Sequence, residues 1–161
     1  MEQLALPTPF DVREVLEGLL GRDVTVDVCP PYLPGPDAPA LLGTYVDDRL
    51  ALRTVAVVDV PLGANLGAAV GLIPRAQAAE AAESGLVPAN LLDNLREVLN
   101  VLASTLNRAG QAHQRLYELH AAGTLPPADV SSWAKVPVGR LDLQVGIAGY
   151  GGGQLGFVAC D

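Results

Sequence analysis

The sequence predicts an α+β domain with helices packed over a mostly antiparallel sheet. Three observations lead there. The stretch from Pro88 to Arg108 has strong helical periodicity. Several β-rich segments alternate with period two and are joined by tight turns. Between these lies a Gly/Ala-rich segment whose small side chains would let a helix approach a neighbouring backbone closely.

The elements follow in order. Asp11 to Leu20 reads as a short amphipathic helix with a stripe of Val12, Val15, Leu16, Leu19 and Leu20. Asp11 is the expected N-cap, Glu14 takes the capping-box position and Gly21 ends the helix. Asp23 to Cys29 alternates and reads as a half-buried strand. Pro30, Pro31, Pro34, Pro36 and Pro39 make a stiff loop. Leu41–Val46 and Leu50–Val60 form an expected antiparallel pair turned at Asp47-Asp48-Arg49, and Val55–Val58 is apolar on both faces, as in a central strand. Gly63, Gly67 and Gly71 recur every four residues in the Gly/Ala helix and are expected to be buried. Arg75 to Glu83 adds a helical turn or two, and the long helix comes next. Gln111 to Ala121 is expected to be a further short helix, and Gly123 to Ser132 a loop. Val136–Ala148 and Gln154–Cys160 form an expected hairpin around Gly149–Gly153.

Bulk properties narrow the function. The 161 residues suit a single domain spanning 1–161; half of them are apolar, 17% charged and 4% aromatic, so the core is Leu, Val and Ala. A net charge of −8 argues against nucleic acid or an anionic membrane as partner. No basic and apolar leader pattern stands in Met1–Pro9, and Asp59, Pro61 and Asn65 interrupt the most apolar window, so a cytoplasmic protein is expected. Cys29 and Cys160 read as buried thiols, with no metal site. His113 and His120 lack partners at metal-ligand spacing. The glycine cluster at 149–153 leads into a strand and lacks a following Gly-Lys-Ser/Thr, which excludes a phosphate-binding loop. No nucleophile–base motif stands out.

The long helix has the most distinctive pattern in the chain, which reads either as the ordinary polar face of an amphipathic helix or as a functional stripe. Leu91, Leu92, Leu95, Val98, Leu99, Leu102 and Leu106 make one broad apolar face. Along the other side run Asp93, Glu97, Asn100, Ser104 and Asn107, a stripe with no lysine. Asparagine in a helix interior costs about half a kcal/mol relative to alanine, so two in one stripe want a reason. The first helix matches part of the second: Arg13-Glu14-Val15-Leu16-Glu17 aligns with Arg96-Glu97-Val98-Leu99-Asn100, which suggests a pseudo-repeat. Phe10 stands where Asp93 would be and Glu17 where Asn100 would be. Only the second copy holds the stripe.

Asp93-x-x-x-Glu97-x-x-Asn100 resembles the active-site motif of the CheC/CheX/FliY family of response-regulator phosphatases, in its CheX-like branch. The resemblance implies duplicated helix–strand–strand units, with the motif kept only in the second helix. A proline usually follows the motif asparagine some twenty-odd residues on, and Pro126 and Pro127 stand near that place. The implied activity is hydrolysis of the aspartyl phosphate on a phosphorylated, CheY-like receiver domain. Asn100 would position the attacking water, Glu97 would dock the receiver's lysine, and Asp93 would extend the partner-binding edge. Ser104 and Asn107 are expected to be ordinary surface residues. The resemblance implies no cofactor of the protein's own, a divalent cation on the receiver, and allows a homodimer. Two rivals are a catalytically silent receiver-binding relative and a flagellar-switch-related interaction protein.

Overall fold

A computed structural model describes residues 6–108 and 110–160; residues 1–5, read above for a leader pattern, lie outside them. The described residues form helix α1 (Pro9–Leu20), strands β1 (Val24–Val28), β2 (Ala40–Val46) and β3 (Leu52–Asp59), and helices α2 (Val60–Val70), α3 (Arg75–Ser84) and α4 (Ala89–Leu102). A single 3-10 turn (Ala103–Thr105), β4 (Arg115–His120), α5 (Ala128–Ala134), β5 (Arg140–Ile147) and β6 (Gly151–Ala159) complete them. The six strands make one antiparallel sheet in the order β1-β5-β6-β3-β2-β4. This is the expected α+β architecture.

The strand order has a hidden symmetry. Exchanging β1 with β4, β2 with β5 and β3 with β6 reverses it onto itself, so a pseudo-twofold axis passes between β3 and β6. Each half is a helix followed by three strands, one strand more than the expected unit. The β2–β3 and β5–β6 hairpins meet at the axis, and each half lends its first strand to the other: β1 pairs with β5, and β4 with β2.

One face of the sheet packs under α1, α2 and α4 through Leu41, Tyr45, Ala56, Val58, Leu143, Val145, Leu155 and Phe157. The opposite face carries Leu42, Val55, Val57 and Val158 beneath Val130, Trp133 and Ala134 of α5. Val55–Val58 is therefore buried on both sides, as a central strand should be. β3 runs into α2 without a loop because Asp59 caps the helix: its carboxylate accepts from the N–H of Leu62 and from the N–H of Gln154, each at 2.9 Å. Burial pushes the Asp59 carboxyl up despite those two donors.

The glycine-rich hairpin owes its composition to this junction. A side chain at Gly153 would collide with the Asp59 carboxylate and with Leu62, so the start of α2 rests directly on bare strand. The reversal itself takes Ala148–Tyr150, with Gly149 at φ 83°, and Gly151–Gly153 are already in β6. Of the expected glycine ridge, Gly63 and Gly67 are buried, whereas Gly71 lies exposed just past the end of α2. Gly67 has the backbone of Leu91 in α4 where its Cβ would stand.

Other expectations need correction. Thr8, not Asp11, caps α1: its hydroxyl accepts from the N–H of Asp11 at 3.1 Å. Gly21 ends α1 in the left-handed region, as expected. Cys160 is buried, but Cys29 is only half-buried. The segment expected as a helix at Gln111–Ala121 holds edge strand β4. A register shift between Thr44 and Tyr45 leaves Tyr117 as the extra residue, so Leu116 and Leu119 both turn toward the helix side. Two leucines three apart mimic a helical stripe while belonging to a bulged strand. In the expected loop at Gly123–Ser132, the chain turns helical from Ala128 after Pro127.

Candidate functional site

Helix α4 starts after Pro88 and buries Leu91, Leu95, Val98, Leu99 and Leu102. Two close contacts fix its axis. Gly67 admits the α4 backbone at Leu91, and the Asn94 side-chain amide donates to the Gly67 carbonyl at 2.9 Å. On the sheet side, bare Gly43 makes room for Leu99 and Leu116. With its apolar face pinned, the helix turns Asp93, Glu97 and Asn100 outward, and all three are exposed.

The polar stripe ends at Asn100 for a physical reason. The buried hydroxyl of Tyr45 donates to the Leu99 carbonyl at 2.6 Å. The N–H of Ala103 turns to the carbonyls of Asn100 and Val101, and the chain tightens into the 3-10 turn. Ser104 is then an exposed residue bonded to the Val101 carbonyl at 3.0 Å, as an ordinary surface serine would be. Asn107 is not an ordinary surface residue. Its amide brackets the Gln114 backbone, accepting from the N–H at 2.7 Å and donating to the carbonyl at 2.9 Å. Gln114 in turn accepts from the Thr54 hydroxyl at 2.7 Å. This clasp aims the chain into β4.

Asp93, Arg96, Glu97 and Asn100 line a shallow cleft of about 190 Å³, with Leu116 of β4 as its apolar wall. The fold thus brings the three residues singled out in the sequence into one place. Among the described residues, none of these four polar side chains has a hydrogen-bond or ion-pair partner, so their donors and acceptors stay available. The same face of α1 is different. Glu17, in the place of Asn100, pairs with Arg13 at 3.3 Å and accepts from the N–H of Val24 at 3.3 Å, while Phe10 replaces Asp93. In the first copy the Asn100 position is turned to structural use, while Phe10 and Glu14 stay exposed.

Pro126 and Pro127 do not reach the cleft; they line hollows on the α5 side of the sheet. His120 lies 3.4 Å from the Glu118 carboxylate. Among the described residues no three His, Cys, Asp or Glu side chains are grouped to hold a metal, and no helix is long and apolar enough to cross a membrane. Arg96, Leu116, Tyr45 and Asn94 belong to the site or its support and were not singled out from sequence. The repeat marks Arg96, whereas Leu116 was hidden by the helical reading of its strand.

No family model and no curated protein matches the sequence. Solved structures do. The FliM middle domain from Vibrio alginolyticus is similar with a TM-score of 0.59 at 11% identity, over 92% of this chain and 86% of that one. The FliM middle domain from H. pylori matches with 0.55 at 10% identity, over 94% and 84%. A FliM–SpeE complex from H. pylori matches with 0.58 at 9% identity, over 94% and 80%. The chain has the fold of these FliM middle domains.

Proposed function

We propose that the protein is a CheX-like phosphatase that hydrolyses the aspartyl phosphate of a CheY-like receiver domain. The observation that carries this is the set of exposed, unpartnered Asp93, Glu97 and Asn100 side chains in one cleft of α4, where the α1 counterpart of Asn100 is the ion-paired Glu17. An acyl phosphate is already reactive, so the catalyst's main task is to place water in line with phosphorus. The Asn100 amide donates to and accepts from that water without titrating. As the water oxygen bonds phosphorus, the bond from phosphorus to the receiver's aspartyl oxygen breaks. The aspartate leaves as a carboxylate, and orthophosphate keeps one water proton as its hydroxyl while the other passes to a phosphoryl oxygen or to solvent. Glu97, one turn away, accepts from the receiver's lysine and fixes the register. Asp93 extends the acidic edge. The divalent cation belongs to the receiver.

The test is the decay of phosphorylated CheY-type receivers. Wild type shortens phosphoryl lifetime, and Asn100→Ala abolishes the acceleration while still binding. Acceleration by Asn100→Ala equal to wild type, or none by wild type on any receiver, ends this reading. A second reading follows from the FliM neighbours, one of them solved in complex with SpeE. In it, the domain binds protein partners without catalysis. Co-purification with flagellar switch proteins and an unchanged phosphoryl lifetime would favour it.

A further inference from the structure

The pseudo-repeat exposes a second consequence of the change from Glu17 to Asn100. In α1, Arg13 is held by the carboxylate four residues on, with Nε 3.3 Å from Glu17 Oε1. In α4 the equivalent arginine is Arg96, and the residue four on is Asn100, an amide with no charge to offer. Asp93 and Glu97 lie beside Arg96 in the cleft, yet neither comes within ion-pair distance of it. One exchange therefore installs the amide and releases a guanidinium next to it. Among the described residues Arg96 is also the sole cation lining that cleft, on a chain whose net charge is −8.

We propose that Arg96 is the phosphoryl-reading residue of this site, donating from its guanidinium to a non-bridging oxygen of the partner's aspartyl phosphate while Asn100 holds the water. This rests on the receiver-phosphatase reading and deepens it. A guanidinium stays charged at all working pH values and presents a planar fork of donors suited to phosphoryl oxygens. Negative charge spreads over those oxygens during transfer, where a cation supplied by the second protein adds to the receiver's metal. Glu97 recognises a lysine that the receiver carries whether phosphorylated or not. Arg96 recognises the group that differs between the two states, so it supplies the discrimination that Glu97 cannot.

The experiment measures binding of CheY-type receivers, with and without beryllofluoride as the phosphoryl stand-in, to wild type, Arg96→Ala, Arg96→Lys and Arg13→Ala. Wild type prefers the beryllofluoride form by at least about tenfold, as one charge-assisted hydrogen bond supplies. Arg96→Ala brings the two affinities to within about twofold, Arg96→Lys restores part of the preference, and Arg13→Ala keeps all of it. Arg96→Ala with wild-type preference overturns the proposal. Equal weakening of both forms also overturns it, assigning Arg96 to a carboxylate of the partner instead. Decay assays separate this from the reading beneath it. If Arg96→Ala speeds dephosphorylation as well as wild type, the phosphoryl contact is wrong and the phosphatase stands. If wild type discriminates but does not speed decay, the phosphoryl contact stands and the phosphatase is wrong. Arg96 is exposed, so unchanged circular dichroism is expected throughout.

Discussion

The hydroxyl of Tyr45, on strand β2, donates to the carbonyl of Leu99 at 2.6 Å, one residue before Asn100. Tyr45 is fully buried, and burial lifts its phenol far above the ordinary range, so it remains a donor at all working pH values. The bond ties the sheet to the point where α4 tightens and the polar stripe stops. Tyr45→Phe should cost about 1–2 kcal/mol, the value of a buried bond whose acceptor is left unmatched. Urea unfolding checks this as a lowered midpoint at unchanged slope. A shift below about 0.5 kcal/mol would mean that the helix end recloses on its own carbonyls.

Two helical glycines should respond in opposite directions. At Gly67 even one methyl group meets the Leu91 carbonyl, an immobile backbone atom, and Gly67→Leu should cost more than about 3 kcal/mol or prevent folding. Gly18 in α1 has open space where its Cβ would stand, and Gly18→Ala should stabilise by about 0.5–1 kcal/mol. Melting temperatures of the two variants test both, and a normal value for Gly67→Leu would contradict the tight α2–α4 packing.

The Arg140–Asp142 pair clamps the second face of the sheet. Both side chains are buried, with Nε 2.7 Å from Oδ2. Arg140 also donates to the carbonyls of Ala134, Val136 and Tyr32, and Asp142 accepts from the Tyr32 N–H. Removing one partner leaves a buried charge uncompensated, so Asp142→Asn should cost about 3–5 kcal/mol. Chemical denaturation measures it, and a loss under about 1 kcal/mol would show that water or the main chain already neutralises Arg140.

Asp47 sets an acid limb of stability. The Ala51 N–H holds its carboxyl below the ordinary 3.8, with burial opposing and the Arg49 N–H and Arg53 guanidinium helping. A folded value below the unfolded one gives stabilisation that is present above about pH 3.8 and lost as pH falls through the folded value. Asp47→Asn should therefore be less stable than wild type at neutral pH, with the gap closing in acid. Unfolding curves at pH 7 and pH 3 test this, and a gap that does not narrow refutes it.

Glu97→Gln and Asn100→Ala should change stability by less than about 0.5 kcal/mol, because both side chains are exposed and unpartnered. Thermal unfolding checks this. A larger loss would make the stripe a structural feature.

Much of the fold was legible because its signals are local. Gly21 ends α1, the Val55–Val58 run marks a central strand, and the apolar face of α4 places Asp93, Glu97 and Asn100 opposite the core. The failures came where tertiary contacts override local pattern. The bulge at Tyr117 gave β4 a helix-like leucine spacing, and the Tyr45 hydroxyl on a distant strand ended α4 before Ser104. The Asn107–Gln114 clasp spans a loop with no sequence signature. Site geometry was readable up to one turn beyond each motif residue, and the wall contributed by Leu116 was not.

The exchange of first strands between the two halves has a consequence for how the chain acquires its shape. β1 finds its partner only in β5, more than a hundred residues later, so α1 and β1 cannot settle until nearly the whole chain is present. Neither half owns a complete sheet, and a single copy cut free would leave an orphan strand on an open edge. Assembly should therefore be slow and all-or-none, dominated by pairings distant in sequence. A duplicated unit interlocked in this way can let its copies drift apart in chemistry, one keeping an exposed amide and the other a salt bridge, while neither can be lost.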